Sequence, residues 1–546
     1  MLYANDNKTN MLFKTLEGGE ETVSPYFEVE RLIKRIPEDI ENEAIEIFYR
    51  SKHRTGRFRI LTTDLCDINV VAKICFSNHF VFPANYKQLV YGEIIEQYDK
   101  ILDSETYSFE HKCLGWQNID NKPIFLYDYT NLKNGYNSTC IRNVGQFSNG
   151  NESDYDKFLN KCVFNSNARC LAYSLAFTSV VASRLSTLKD LGVLIVGLSG
   201  RSTTGKTTML KLMASVWGDT DDIKGTMILR NKGSEVGFDA QYSGLYGVPI
   251  LFDDLDTNSK INIGDFVYDL SKGTQRIVAK NNGDCDFSRM GFSGLCAITS
   301  ENPILSKTDQ RIGLYARVID LHDVNWTDSA SISNEIKNCI CTTYGHKGKQ
   351  FAEFVSNISD EKLSEHFDRC YQIVLGNIEN KDDYSERIAK KYAVIWQTIE
   401  LLNNCFNLQF NTSDIMQIAL NCEKEQQLER NKSKMAYDFI LTYFFANKNK
   451  FDIKIKNGEF ISKSTLPREG IAMFKDGVLD LCVPISTARQ ILNNNSFPQL
   501  DTYKKQWKEK GLTKCENSRT EMSNPELGRH FHFVYKDINL EAINNV

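Results

Sequence analysis

The sequence predicts an α/β fold built around a parallel sheet, and three observations lead to this expectation. From residue 191 to about 322, short apolar strands alternate with helices. Residues 330–430 place apolar side chains at helical spacing, for instance Ile388, Tyr392 and Ile395. Residues 1–115 alternate strand-like runs with one helical run, which is typical of a small α+β unit.

The chain of 546 residues is too long for one hydrophobic core, so several domains are expected. Changes in hydrophobic periodicity divide the chain into five segments. They are an N-terminal α+β domain (1–115), a helical connector (116–190), an α/β core (191–325), a second helical segment (326–430) and a mixed C-terminal segment (431–546).

Composition and charge narrow the class of protein. The net charge of −5 argues against a general nucleic-acid binder, although residues from Arg430 onward are net basic. The 15 cysteines include no CxxC pair, so neither a zinc site nor a disulfide framework is expected. The start is polar, and Leu171–Leu191 is interrupted by charges, which predicts a buried helix rather than a membrane span. A cytoplasmic protein is expected.

A glycine-rich motif follows the apolar run that ends at Ser199. Gly200 to Thr207 matches GxxxxGK[ST], and Met209–Trp217 continues as an amphipathic helix. Backbone N–H groups of such a loop bind phosphates, the lysine reaches the β- and γ-oxygens, and the threonine hydroxyl binds Mg²⁺. The predicted nucleotide-binding residues are Gly200, Ser202, Thr203, Thr204, Gly205, Lys206, Thr207 and Thr208.

A second apolar run, Val248–Phe252, ends in two acids. Asp253 is expected to hold Mg²⁺ together with Thr207, and Asp254 to orient or deprotonate the attacking water. ATP is the expected nucleotide, because the sequence has no guanine-reading motif. The alternative is a solvated turn after a core strand.

A third strand, Gly294–Ser300, is expected to lie between the two phosphate elements. A polar residue at its end can contact the γ-phosphate, and Asn302 is preferred over Ser300 for this role. Arg317 and Arg311 are candidates for an arginine finger that reaches the nucleotide of a neighbouring subunit. A strand-terminating turn and ordinary surface charges are the alternatives.

Together these motifs resemble an AAA+ ATPase of the helicase branch, which implies that 191–325 is the ATPase core and 326–430 a helical lid over the nucleotide. Further stretches are similar to the self-loading, MCM-like replicative helicases of staphylococcal cassette chromosomes, pathogenicity islands and related phages. The similarity spans about Ala44 to Lys536. The stretches that carry it are Leu114–Trp116, Thr204–Thr208, Ala214–Asp219, Asn231–Glu235, Gly273–Gly283, Gly345–Phe351 and Arg387–Leu401.

The resemblance implies a ring, as a hexamer, that moves along DNA with ATP sites between its subunits. It also implies a hairpin in the pore, and the Asn281-Asn282-Gly283 turn after Arg276 and Lys280 suits one. Those two cations would then contact DNA phosphates; a plain structural hairpin is the alternative. Arg387, in the implied lid, would be a second sensor or part of a charged helix face.

The C-terminal segment has the pattern helix, turn, helix and wing, which predicts a winged-helix-type domain (431–546). Ser486–Leu492 predicts a first helix, and Thr502–Lys510 a second one capped by Asp501. Leu512–Cys515 and His530–Tyr535 are expected to pair as strands. Lys504, Lys505 and Lys508 suit contacts with DNA phosphates, although winged helices also mediate protein contacts.

Three classes of function fit the sequence, a packaging or transport motor being the third. The first is an ATP-dependent DNA helicase or translocase that serves the replication of a mobile genetic element. The second is an ATP-gated oligomeric sensor or assembly ATPase, for instance in phage defence, that does not unwind DNA. The basic hairpin separates the first two, because a sensor has no need of Arg276 and Lys280 in a pore.

Overall fold

A computed structural model describes most of the chain. The described residues are 2–538 without 15–17, 37–41, 105–106, 120–121, 133–136, 143–144, 221–226, 230–240, 255–261, 275–289, 306–311, 380, 456–459, 496 and 517–518. Two compact units divide the chain. The N-terminal unit contains Met1–Thr308 and Ala316–Leu420, and the C-terminal unit contains Asp309–Tyr315 and Asn421–Val546.

The strands fall into several sheets. In chain order they are β1 (Tyr3–Ala4), β2 (Asn10–Lys14), β3 (Glu20–Ile36), β4 (Ala44–Arg50), β5 (Thr55–Leu61), β6 (Tyr107–His111), β7 (Leu114–Ile119), β8 (Lys122–Leu126), β9 (Tyr129–Asn131), β10 (Asn137–Cys140), β11 (Leu194–Ser199), β12 (Ile228–Leu229), β13 (Leu245–Tyr246), β14 (Ile250–Phe252), β15 (Leu295–Ser300), β16 (Val318–His322), β17 (Phe451–Ile455), β18 (Phe460–Ser462), β19 (Gly470–Lys475), β20 (Val478–Pro484), β21 (Thr513–Lys514), β22 (Met522–Asn524) and β23 (Gly528–Tyr535).

The α-helices of the described residues follow the same order. They are α1 (Ile68–Ser77), α2 (Lys87–Ser104), α3 (Glu152–Cys162), α4 (Asn167–Leu185), α5 (Lys206–Ser215), α6 (Ile263–Leu270), α7 (Ile312–Tyr315), α8 (Ala330–Ile340), α9 (Gly348–Ser356), α10 (Asp360–Asn377), α11 (Ser385–Phe406), α12 (Thr412–Ala446), α13 (Ile485–Asn493) and α14 (Leu500–Glu509). No helix among the described residues is long and apolar enough to cross a membrane.

The first part of the N-terminal unit is a mixed sheet of eight strands. Its main path runs β1-β2-β3-β6-β10-β9, and β4 and β5 extend it from β3. Apolar side chains of β3, β4 and β5 form one core with α1 and α2. The α+β character expected for this region is therefore observed, but its sheet continues past residue 115 to β10.

The segment 116–190 was expected to be a helical connector, and this expectation is wrong for its first part. Strands β7 to β10 occupy much of residues 114–140, and helices begin only at Glu152. β7 and β8 form a separate sheet with β13. The strands were missed because each one is short and carries Gly, Asn or Pro, which hide the alternating pattern.

A five-stranded parallel sheet forms the centre of the N-terminal unit. Its order is β12-β14-β15-β11-β16, and every neighbouring pair is parallel. The side chains of β11 are all buried, as expected for a strand covered on both faces. The strand at Gly294–Ser300 does lie between the two strands that carry the predicted phosphate elements. Helix α4, buried along nearly its whole length, packs against α5 and β15.

Helices α8 to α12 account for the helical periodicity of residues 330–430. α10 packs against α11, and α11 packs against α4. The boundary expected at residue 430 falls inside α12, which runs without a break from Thr412 to Ala446.

The C-terminal unit contains a seven-stranded sheet whose core includes side chains of α13, α14 and the last part of α12. Its path is β18-β17-β19-β20-β23-β21, and β22 also pairs with β23. The expected pairing is observed, since Thr513 lies opposite Phe533 in an antiparallel register. Trp507 is fully buried in the core of this unit. Asp501 is not the N-cap of α14; Gln499 is, because the helix begins one residue before Asp501.

Candidate functional site

The loop after β11 wraps closely because its glycines adopt conformations that other residues avoid. Gly200 has φ of +125° and Gly205 has φ of +94°. A Cβ on Gly200 would lie 2.4 Å from Asp323 Oδ1, and a Cβ on Gly205 would lie 2.6 Å from Thr327 Oγ1. Larger residues at either position would force the loop open. The loop therefore forms a tight cradle of backbone groups at the carboxyl end of β11.

Lys206 lies inside this cradle. It begins helix α5, and its side chain is 9% exposed. Its Nζ donates to the carbonyl oxygens of Gly200 at 2.7 Å and Arg201 at 2.8 Å. The first N–H groups of α5 have no partner within the helix, so the positive end of the helix dipole faces the same space. The arrangement suits an anionic ligand.

Asp253 accepts hydrogen bonds from residues of the two neighbouring strand–loop segments, at the carboxyl ends of the three central strands. Its Oδ1 accepts a hydrogen bond from Thr207 Oγ1 at 3.2 Å and from Thr299 Oγ1 at 2.6 Å. Thr207 follows β11, Asp253 follows β14, and Thr299 belongs to β15. A hydroxyl and a carboxylate are the oxygen donors that Mg²⁺ takes in proteins. The two residues predicted to hold the metal thus lie together.

Asp254 is held in an unusual backbone conformation. Its φ is 53°, in the left-handed region that few residues other than glycine adopt. Its backbone N–H donates to Thr299 Oγ1 at 2.7 Å, and its side chain is exposed. Thr299 therefore positions both acids, accepting from one residue and donating to the other. The only sequence signal for this role is a threonine one residue before the end of the middle strand.

These residues line a cavity of about 770 Å³. A second wall comes from residues 325–337, where Lys337 is exposed and Thr208 Oγ1 is 2.7 Å from Ser333 Oγ. Pockets for small ligands have volumes of roughly 300–1,000 Å³, so the space suits a molecule the size of a nucleotide. Of the predicted residues, those on the cavity wall are Ser202, Thr203, Gly205, Lys206, Thr207, Thr208, Asp253, Asp254 and Ser300; Gly200 and Thr204 of the same loop do not line it.

Asn302, the preferred γ-phosphate contact, does not line this cavity, whereas Ser300 does. β15 ends at Ser300, so Asn302 lies beyond the strand edge, where it is exposed. Its backbone N–H donates to Ser300 Oγ at 3.2 Å. Glu301 also lines the cavity and accepts a hydrogen bond from Ser202 Oγ at 2.7 Å. The polar contacts at this edge come from positions 299 to 301.

Arg317 lies at the opposite end of the same sheet, where the strands begin. It precedes β16, whose Val318 pairs with Ile195 near the amino end of β11. At about 3.3 Å per residue, the strand places roughly 16 Å between this edge and the loop. The guanidinium of Arg317 lies 4.8 Å from the ring centroid of Tyr268. Arg317 therefore cannot reach a ligand bound by its own chain's loop.

A second cavity, of about 600 Å³, surrounds Arg317 and is rich in cations. Lys272, Arg387, Lys390 and Lys391 line it as well. Lys391 Nζ donates to the Arg317 carbonyl oxygen. Although part of the Lys391 side chain reaches solvent, its ammonium is enclosed, and burial, Arg317 and Arg387 lower its pKa to about 7.

In the C-terminal unit, the three predicted DNA-contacting lysines lie on α14. Lys504 is engaged by two carboxylates, Asp501 at 2.8 Å and Glu521 at 3.2 Å. These partners, Asp501 first, raise the pKa of Lys504. Lys505 is exposed and Lys508 is half-buried. The pair with Asp501 is local in the sequence, but the pair with Glu521, 17 residues away in the chain, could not be predicted from it.

Several predicted residues lie outside the described part of the chain. Arg276 and Lys280, with the whole expected hairpin, fall within 275–289, and Arg311 falls within 306–311. The similar stretch Asn231–Glu235 falls within 230–240.

Comparisons with known proteins show which fold this architecture resembles. Residues 90–289 match a family model described as a domain of unknown function, DUF927. No curated protein matches the chain. A solved structure titled "SCCmec type IV Cch - active helicase" has a TM-score of 0.70 and 16% sequence identity; the match covers 98% of this chain and 97% of that one. The chain therefore has the mixed α/β fold of that protein along nearly its whole length.

The hydroxyl of Thr299 offers a direct test of the site. Thr299→Val keeps the shape of the 2% exposed side chain but removes the bonds to Asp253 and to the Asp254 N–H. Loss of a hydrogen bond to a charged group costs about 1.5–3 kcal/mol, so ATP turnover is expected to fall roughly ten- to hundredfold. Steady-state kinetics at several Mg²⁺ concentrations measure this. Thr299→Ser, which keeps the hydroxyl, is the control and should retain most activity; equal rates in the Val variant and the wild type would remove Thr299 from the site.

Proposed function

We propose that the chain is an ATP-dependent DNA helicase or translocase that acts in the replication of a mobile genetic element. The observation that carries this proposal is the meeting of Lys206, Thr207 and Asp253 at the carboxyl edge of a five-stranded parallel sheet. The chain-long likeness in fold to a protein titled an active helicase supports it. The strand order and the motifs suit an AAA+ core with a helical lid.

The residues fit ATP and Mg²⁺ by their chemistry. The glycine cradle has no room for a Cβ at positions 200 and 205, and a polyphosphate chain can approach its backbone closely. Lys206 binds the β- and γ-phosphate oxygens, and Thr207 and Asp253 hold the metal. Mg²⁺ supplies charge neutralisation at the phosphates. Asp254 orients the attacking water and takes its proton, while Ser300 contacts the γ-phosphate from β15, with Asn302 next to it.

The position of Arg317 supports hydrolysis between subunits. An arginine at the amino-terminal edge of the sheet can act only on the nucleotide of a neighbouring chain. A closed ring supplies every site with such an arginine, and we propose a homo-hexamer. Arg311 is the alternative finger. Arg387 lines the same cavity as Arg317, so as a second sensor it too would contact the nucleotide of the neighbouring chain.

DNA contacts are assigned to two places. Arg276 and Lys280, in the hairpin that the sequence predicts outside the described residues, would grip single-stranded DNA, and the winged-helix-type domain contacts DNA phosphates through Lys505 and Lys508, with Lys504 in a supporting position. Phosphate contacts of this kind weaken as salt concentration rises.

Unwinding of a forked DNA duplex tests this function. The full-length protein is expected to separate the strands with ATP but not with a non-hydrolysable analogue, and Lys280→Ala is expected to lose unwinding while keeping ATP turnover. ATP hydrolysis without any strand separation or DNA binding would instead favour the second candidate, an ATP-gated sensor or assembly ATPase.

A further inference from the structure

Three metal-ligating side chains meet on two neighbouring strands of the C-terminal unit. Cys482 belongs to β20, and His530 and His532 belong to β23. All three are buried, at 2%, 2% and 7% exposure. One ligand atom from each lies within 4.8 Å of the other two. Cys482 lies directly opposite His532 in the antiparallel register, so hydrogen-bonded strands hold the cluster rather than a loop.

The spacing of the donors matches a tetrahedral site. Cys482 Sγ lies 3.6 Å from His532 Nδ1. With Zn–S of about 2.3 Å and Zn–N of about 2.0–2.1 Å, sulfur and nitrogen on a tetrahedral Zn²⁺ lie about 3.6 Å apart. A thiol that donates to the imidazole gives a similar distance, so the neighbouring groups have to decide between the two.

Outer partners orient both imidazoles as a metal requires. His530 Nδ1 is 2.9 Å from the Gly528 carbonyl oxygen, which can only accept, so Nδ1 carries the proton and Nε2 carries the lone pair. His532 Nε2 faces Asp480 Oδ1 at 3.2 Å, and Lys514 Nζ donates to the other oxygen of Asp480 at 2.7 Å. Histidines that ligate metals use their second ring nitrogen on a carbonyl or carboxylate in this way.

Two enclosed atoms at this position have no hydrogen-bond partner among the described residues. They are His532 Nε2 and Asp480 Oδ1, which face each other in a geometry that does not form a hydrogen bond. A buried polar atom without a partner costs free energy, so each such atom calls for an explanation. A cation on Nδ1 would place the ring proton on Nε2, and a small ring rotation toward the cation would aim that proton at the carboxylate.

A second cluster of similar composition differs from the first because protein donors already satisfy its carboxylate. In the N-terminal unit, His366, Cys370 and Glu400 also lie close together. Glu400 there accepts hydrogen bonds from His366 at 2.6 Å, Arg369 at 2.9 Å and Trp396 at 2.8 Å. These bonds, that from His366 first, lower the pKa of Glu400 to about 2. That carboxylate is already satisfied by protein donors, so the cluster is an ion-pair centre and provides a control.

We propose that Cys482, His530 and His532 bind a divalent cation of the Zn²⁺ class, with Asp480 as the outer carboxylate and one coordination position open to a fourth ligand. Thiolate and imidazole donors select such borderline-soft ions over Mg²⁺. The bound ion cross-links β20 and β23, so it stabilises the C-terminal unit. This site is separate from the nucleotide site in residues and in chemistry, and its failure would leave the proposed ATPase untouched.

Cobalt titration of the full-length chain tests the site. The protein is stripped with a chelator, kept reduced with a phosphine and titrated with Co²⁺ in excess Mg²⁺ without nucleotide, so that Mg²⁺ occupies oxygen sites. The expected result is one Co²⁺ per chain, with the intense visible bands of tetrahedral Co²⁺ and a near-ultraviolet thiolate-to-cobalt band. Zn²⁺ should displace the Co²⁺ and bleach both.

Variants locate the site. Cys482→Ser is expected to lose the thiolate band, and Asp480→Asn to bind Co²⁺ about 10–100-fold more weakly. Cys370→Ser in the control cluster should titrate like the wild type. Zn²⁺ should raise the Tm of the wild type and leave that of Cys482→Ser unchanged, and circular dichroism checks that each variant is folded. Absence of bound Co²⁺ in the wild type, or a thiolate band that survives in Cys482→Ser, would overturn the proposal; if Cys482→Ser does not fold, the wild-type titration and Asp480→Asn decide.

Discussion

Lys206→Ala is expected to lower ATP turnover by about a hundredfold or more, because it removes the cation that we propose contacts the β- and γ-phosphates. The lysine lies at the centre of the loop, where its Nζ donates to two backbone carbonyl oxygens. The change truncates a 9% exposed side chain whose bonds go only to its own loop, so the fold should survive. Steady-state ATP hydrolysis measures the effect.

Lys211→Ala is the matched control for this experiment. Lys211 lies on the same helix but does not line the cavity. Its loss should leave turnover within a few-fold of the wild type. If Lys206→Ala hydrolysed ATP as fast as Lys211→Ala, the loop would not be the phosphate site.

Arg317→Ala is expected to lower ATP turnover by about a thousandfold, the effect typical of an arginine finger. The side chain contacts the exposed ring of Tyr268 at the edge of the sheet, and its removal opens no core. Nucleotide affinity should change little, because Arg317 is not part of its own chain's loop. Lys272→Ala is the control, since Lys272 contacts the same ring at 4.2 Å and lines the same cavity.

Mixing two inactive variants then tests whether Arg317 serves the ATP site of a neighbouring subunit or that of its own. A ring that contains Lys206→Ala and Arg317→Ala chains has some interfaces where an intact loop meets an intact Arg317. Turnover of the mixture should therefore rise above that of either variant alone. No rise, with assembly of mixed rings verified by size, would contradict hydrolysis between subunits.

The sequence predicted the central sheet well because each of its strands carries a strong local signal. β11, β14 and β15 are continuous apolar runs that end in Gly, Asp or Ser, and such runs are typical of buried parallel strands. The glycine motif and the two acids are local in sequence, so their meeting at one edge follows from parallel strands alone. Thr299 was missed because its role depends on the distance between strand ends, which no spacing along the chain encodes.

Other features could not be predicted from the sequence because they depend on contacts between residues far apart in the chain. The N-terminal sheet takes in β9 and β10 only through pairing with β6, far back in the chain, so the boundary at residue 115 was set too early. The seven-stranded sheet of the C-terminal unit was not predicted for the same reason, because β20 pairs with β23 although two helices lie between them in the chain. The Cys482 and His532 pair is 50 residues apart and has none of the short spacings by which zinc sites are recognised in a sequence.

The central claim is that this chain couples ATP hydrolysis to movement on DNA, and the most direct measurement is ATP turnover with and without single-stranded DNA. The account predicts strong stimulation by DNA in the wild type, lost in Lys206→Ala and weakened at high salt. Hydrolysis at the same rate with and without DNA would contradict it.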